Sequence, residues 1–274
     1  MVLAVPVNML IISYVTEYVV YLTAGTGSSS ADGASATVVL PYLLPGQYLA
    51  NVLSGFSIYS GVYGPAVFFL LGALVAGTDW GRRTITTALL AGPSRVQARL
   101  GQDLAVLLAA AAGVIATFLL AAAATAALAA GLGSAAPLDT VFPPAAHIAM
   151  AVAGTLTVAL ACTAIGLALG TILRSATKAA GVVLLWAVII QPQLDNVSTQ
   201  VHGTWLRIYE ILPNAGLNTL ANLYNTTAAY VPGTSLGPAF GVQVSPAIAV
   251  MTLGLYAALS LAVAALITSR RDIA

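Results

Sequence analysis

Few side chains in this sequence could do chemistry, and they fall in three places. The first is a lone carboxylate, Glu17, inside an apolar run, with Tyr14, Tyr18 and Tyr21 on the same helical face at i, i+3, i+4 and i+7 spacing. A carboxylate at mid-membrane costs about 2.5–3.5 kcal/mol on insertion scales, so it faces protein or water. The stripe either lines a translocation pathway or, towards the end of a helix that starts near Val2, reaches headgroups at the rim. The second place is the polar, basic interval Gly77–Gln102, which carries Asp79, Arg82, Arg83, Arg95 and Arg99 and is followed at once by Asp103. Asp79 and Arg83 form an acid-then-base pair at i, i+4, worth roughly 0.2–0.5 kcal/mol when exposed. An acid also suits the start of a helix, where the dipole is positive, so Asp79 is expected to open one. Arg99 and Asp103 stand in the reverse and weaker order. The third place is the segment with Trp205, Tyr209, Pro213 and Asn214.

What is missing matters as much. No GxxxxGK[ST] phosphate loop occurs, so the chain is not itself an ATPase. No Ser, His and Asp cluster and no paired intramembrane carboxylates point to catalysis, and an enzyme is not expected. His147 and His202 lie far apart with no second ligand at metal spacing, so no metal site and no cofactor bound by this chain are expected. Cys162 is the only cysteine, which excludes disulfides within one chain.

Composition sets the environment of these residues. Of 274 residues, 59% are hydrophobic and 6% charged, with mean hydropathy +0.96; water-soluble domains carry about 25% charged residues. An all-α polytopic membrane protein is the expectation. All nine Lys and Arg except Arg207 lie in three groups: Arg82, Arg83, Arg95 and Arg99; Arg174 and Lys178; Arg270 and Arg271. Charge spread along membrane rims in this way does not suggest nucleic acid.

A spanning helix needs about 20 apolar residues. Six stretches qualify in a single transmembrane domain, 1–274: about 2–23, 58–76, 103–131, 145–173, 179–194 and 245–268. With these spans the three basic groups share one face, which places both termini in the cytoplasm. The N-terminus enters apolar sequence with no basic n-region, so it reads as the first span and not as a cleavable signal peptide. The third span is rich in Ala, which suits packing against neighbours on several sides. In the fourth, Gly166 and Gly170 form a small-xxx-small pair that permits a close helix crossing, within the chain or between two copies. The uninterrupted part of the fifth ends near Ile190, before Gln191-Pro192, well short of a ~30 Å hydrocarbon core.

Within the basic interval, Thr84–Leu90 places Ile85 and Leu89 at i, i+4, with Arg82, Arg83, Thr86 and Thr87 mostly on the other side. This is a short amphipathic helix. Gly92-Pro93 stops it, and Ser94 with Gln97 is a capping box that opens the next helix. Asp79, Thr84-Ile85, Leu89-Leu90 and Pro93-Ser94-Arg95 resemble the signature of type-2 ATP-binding-cassette (ABC) exporter permeases, an acidic residue before a Gly-Thr-Leu-Arg run, a Leu pair and a Pro-Ser-Arg corner. Arg83 stands where the family usually has Gly, and Thr86 where it often has Arg. The family usually carries a cytoplasmic stretch before its first span. The tail SRRDIA is also similar to the family's ending.

The resemblance implies a fold of six spans with a coupling helix between spans 2 and 3. That helix rests on a separate nucleotide-binding ATPase subunit, which holds ATP and Mg. Asp79, Arg82, Arg83, Ile85, Leu89, Leu90, Pro93 and Arg95 would form the docking surface. It further implies a homodimer, or a heterodimer with a second permease, in the cell inner (cytoplasmic) membrane, exporting a hydrophobic or amphipathic drug, antibiotic, peptide or lipid. Between spans 5 and 6 the family has short outer helices forming a lid; Trp205, Tyr209, Pro213 and Asn214 would belong to it, or else to an aromatic belt at the interface. An ion-coupled secondary transporter or channel is the alternative; it calls for several buried ionisable residues.

Overall fold

The computed structural model describes residues 64–81, 95–131, 145–190, 193–194, 210–213, 215–217, 219–220 and 244–270. Among them are α1 (Gly64–Gly81), α2 (Arg95–Gly131), α3 (Ala145–Leu173), α4 (Ala176–Leu185), a π-helical turn (Trp186–Ile190) and α5 (Pro246–Arg270), and no strand. Among the described residues, three stretches are long and apolar enough to cross a membrane: Gln97–Leu120, Ile148–Leu173 and Pro246–Ser269. Pro65–Asp79 and Ala176–Ile190 are apolar but shorter. Leu108, Leu119, Met251 and Leu255 point outward from the long helices, a surface that suits hydrocarbon and not water.

The helix limits differ from the apolar runs in an informative way. The fourth span coincides with α3, because Pro143-Pro144 and the Arg174 turn bracket it. α1 runs on to Gly81, five residues past the apolar run, and α2 opens at Arg95, eight residues before Asp103. The opening follows directly after Ser94, as the capping box requires; Ser94 itself is outside the described residues. Hydropathy marks what a bilayer accepts, whereas the helix continues until a cap or a breaker ends it.

α3 is the centre. Of its most apolar window 61% is buried inside the molecule, against 11% for α5, and α3 packs against α1, α5 and α2 in decreasing extent. The α1–α3 contact is close because glycines face each other across it. A Cβ at Gly166 would press into the backbone carbonyl of Phe69, and one at Gly72 into that of Thr163; at Gly170 it would lie 2.6 Å from the oxygen of Ala73. Small residues are what let helix backbones approach in lipid, where no hydrophobic force drives helices together. The small-xxx-small pair of α3 thus serves a crossing within the chain.

Arg174 and Ser175 join α3 to α4. Arg174 has φ 50, and its N–H donates to the carbonyl of Gly170 at 2.9 Å. This left-handed residue closes α3 as an αL cap, a role usually given to Gly. Ser175 then caps α4, its Oγ accepting from the N–H of Lys178 at 3.5 Å and its carbonyl from that of Ala179 at 3.0 Å. The turn leaves α4 packed beside α1, where a Cβ on Gly77 would lie 2.5 Å from the nitrogen of Ala176. The fifth apolar stretch continues from α4 into the π turn, ending at Ile190.

At the other end of the bundle, the helical pieces within 210–220 are seated on α5. The hydroxyl of Thr219 accepts from the N–H of Val244 at 2.9 Å, and that of Tyr256 donates to the carbonyl of Ile211 at 3.4 Å. Leu217 and Leu220 are buried in one core cluster with Ala249 and Leu253, and Ala215 is buried as well. The chain bends at Leu212 beside Pro213, where Ala215 donates back to Leu212 at 3.2 Å. Backbone of this kind is tolerated at a membrane rim when protein covers it.

Candidate functional site

The polar side chains that the bundle brings together lie where α1 ends and α2 begins. On α2 the buried face runs through Arg99, Asp103, Val106, Ala110, Val114 and Thr117–Phe118, a helical seam of three- and four-residue steps. Its first two positions are charged. Arg99 and Asp103 are each 3% exposed. Arg99 Nε donates to Asp103 Oδ2 at 3.1 Å, and Nη2 lies 2.9 Å from Oδ1. The second contact is an ion contact without hydrogen-bond alignment, and among the described residues Nη1 has no hydrogen-bond partner.

Gln102 sits between them on the same face, and its Nε2 donates to Oδ2 of Asp79 on α1. Asp79 lies in the last turn of α1, which corrects the expectation that it opens a helix. A carboxylate there opposes the negative end of the helix dipole, by about 0.3–1 kcal/mol; the amide hydrogens of Gln102 offset this. Two carboxylates, one guanidinium and one amide therefore meet across two helices.

α5 reaches the same end: its Leu261 packs against the cluster of Ala76 of α1, Val106 of α2 and Leu167 of α3. With the Ser175–Ala176 corner beside Gly77, the start of α2, the α3–α4 turn and the last third of α5 share one end of the bundle.

Elsewhere four buried threonine hydroxyls of the described helices are occupied locally. Thr117, Thr163, Thr171 and Thr268 are buried, and each donates its hydroxyl to the carbonyl four residues back, at 2.7–2.8 Å. Such bonds keep a hydroxyl satisfied inside a helix and offer little to a ligand. Trp186 Nε1, at the π turn, is buried and has no hydrogen-bond partner among the described residues. No group of three or more potential metal ligands occurs among the described residues.

Of the residues singled out from sequence, Arg95 opens α2 and Pro213 is half-buried in the helical pieces on α5. Arg82, Arg83, Ile85, Leu89, Leu90, Pro93, Tyr14, Glu17, Tyr18, Tyr21, Trp205, Tyr209 and Asn214 lie outside the described residues. Asp79 accepts from Gln102, a residue that the sequence marks only as the end of the basic interval. The Arg99–Asp103 pair is buried, so the cost of breaking it from one side is set by desolvation and not by the order of the two charges. The signal was present: Arg99 and Asp103 extend the three- and four-residue spacing of Val106, Ala110 and Val114 by two steps. No protein-family model matches this chain, and no curated protein matches it significantly.

Proposed function

We propose that the chain is the membrane subunit of an ATP-driven exporter: six spans, both termini in the cytoplasm, and a coupling helix at 84–90 that docks a separate nucleotide-binding ATPase. Two copies, or one copy and a related permease, enclose the pathway in the cytoplasmic membrane. The cargo is hydrophobic or amphipathic, of the drug, antibiotic, peptide or lipid kind. The chain performs no catalysis; ATP and Mg bind the partner, and closure of the ATPases switches the pathway between two states.

The observation that carries this reading is the ordered set Asp79, Thr84-Ile85, Leu89-Leu90, Pro93-Ser94-Arg95, framed by the end of α1 and the start of α2. The shared end of the bundle supports the orientation. Arg99, Arg174 and the C-terminal end of α5 gather there, as a cytoplasmic face enriched in Lys and Arg would require. The seating of 210–220 on α5 favours an outer lid over a loose interfacial belt.

Leu89→Asp places a charge on the apolar side of the docking helix. It should weaken capture of the ATPase by roughly tenfold or more, the scale of a buried apolar anchor lost at an interface, while membrane insertion is unchanged. Wild-type complex yield and wild-type substrate-stimulated ATP hydrolysis in this variant would remove the docking assignment.

The buried Arg99–Asp103 pair favours a second reading, an ion-coupled secondary transporter, because charges within a span often mark ion pathways.

A further inference from the structure

We propose that Gln102 is a positioning residue. Through Asp79 it fixes the spacing and relative rotation of the two helix ends, Gly81 and Arg95, between which the segment 82–94 runs. The proposal rests on the exporter reading only for its consequence, that a push on 82–94 is delivered to α1 and α2 together.

Three observations lead to it. α1 is held by other helices: its glycines lock it against α3, and Gly77 sets it beside Ala176 of α4. α2 meets α1 much less than it meets α3, and the Gln102–Asp79 bond joins the start of α2 directly to the end of α1. The third is the buried ion pair. Arg99, Gln102 and Asp103 stand at i, i+3 and i+4, on one face of α2. Both members of the pair are 3% exposed, so the face of α2 that carries it is turned into the bundle, and Gln102 on that face is turned towards Asp79.

Geometry also explains the choice of an amide. Gln102 gives Asp79 a donor without adding a second positive charge beside Arg99. A glutamate there would set two carboxylates against each other, and a leucine would leave Asp79 without this donor.

The test uses the full chain in lipid vesicles, with spin labels at Thr78 and Gly101. Each label is adjacent to a bridging residue, and Gly101 has open space around it, since a built Cβ meets nothing within 4 Å. Pulsed electron resonance reads the distance between the helix ends with no ATPase present, so the outcome is independent of whether one docks. The parent is expected to give one narrow distance. Gln102→Glu and Gln102→Leu should each lengthen and broaden it. Pairing Gln102→Glu with Asp79→Asn, which swaps donor and acceptor, should restore the parent distance, a rescue that general loss of packing would not produce. Combining Gln102→Leu with Asp79→Leu should add nothing to either single change. A narrow, unshifted distance in Gln102→Glu, or a failure of the swapped pair to restore it while the protein remains monodisperse, would overturn the proposal. Failure of the parent chain to capture an ATPase, with the distances behaving as expected, would instead count against the exporter reading alone.

Discussion

Gly166→Val should disrupt the α1–α3 pair and lower stability by about 3 kcal/mol or more, at the upper end of what overpacking a filled core costs. The reason is what the new atoms would meet. A Cβ at Gly166 presses into the carbonyl of Phe69 and lies 3.0 Å from the nitrogen of Ala73. Both are backbone atoms of α1, so no side chain can rotate out of the way and the helices must separate. Separation would also undo the contacts at Gly72 and Gly170, which depend on the same approach. Even Gly166→Ala should cost about 1–3 kcal/mol. Gly181→Ala is the control: a Cβ there meets nothing within 4 Å, so helix propensity alone should make it neutral or stabilising, by up to about 1 kcal/mol. Unfolding of the purified variants in mild detergent, followed by circular dichroism, reads all three. Equal stability of Gly166→Val and the parent would mean that α1 and α3 do not cross where described.

The second large effect is expected at the buried ion pair. Asp103→Ala leaves the Arg99 guanidinium sealed at 3% exposure without its counter-charge, and breaking a buried pair from one side costs about 3–5 kcal/mol. An exposed pair of the same i, i+4 spacing would be worth only about 0–1 kcal/mol. Replacing both members, Arg99→Met with Asp103→Leu, should recover most of the loss, because apolar side chains continue the seam of Val106, Ala110 and Val114 with no desolvation penalty. The double-mutant cycle separates the two cases: a strongly non-additive cycle supports burial, and two small additive losses would place the pair at the surface.

These residues also mark how far the sequence could be read. The helical class, the limits of α3 and the opening of α2 at Arg95 followed from apolar runs, prolines and a capping box, all of which are local signals. The crossing at Gly166 and Gly170 was legible on one side only. Its partners Gly72 and Gly77 are ordinary glycines until α1 is laid against α3. The left-handed Arg174 was not legible, since nothing in the residue type announces it. The π turn at Trp186–Ile190 was hinted at only by the shortness of the apolar run before Pro192. The Asp79–Gln102 bond joins residues 23 apart, beyond the reach of i, i+3 and i+4 rules. Tertiary packing chose their partners, and no pairwise spacing encodes that choice.

The proposed function rests mainly on the interval from Asp79 to Arg95, where the sequence carries its own order. The helix ends that flank this interval carry a buried ion pair on α2 and an amide bridge from α2 to α1.

The central claim is that this chain works with a separate ATPase, and affinity purification of the tagged full-length chain from its native host tests it most directly. In mild detergent that preserves other membrane complexes, mass spectrometry should find a soluble subunit carrying a Walker phosphate loop at near-stoichiometric yield, and Leu89→Asp should lose it. A chain that emerges with no nucleotide-binding partner under those conditions would contradict the exporter account and turn attention to the Arg99–Asp103 pair as part of an ion-coupled path.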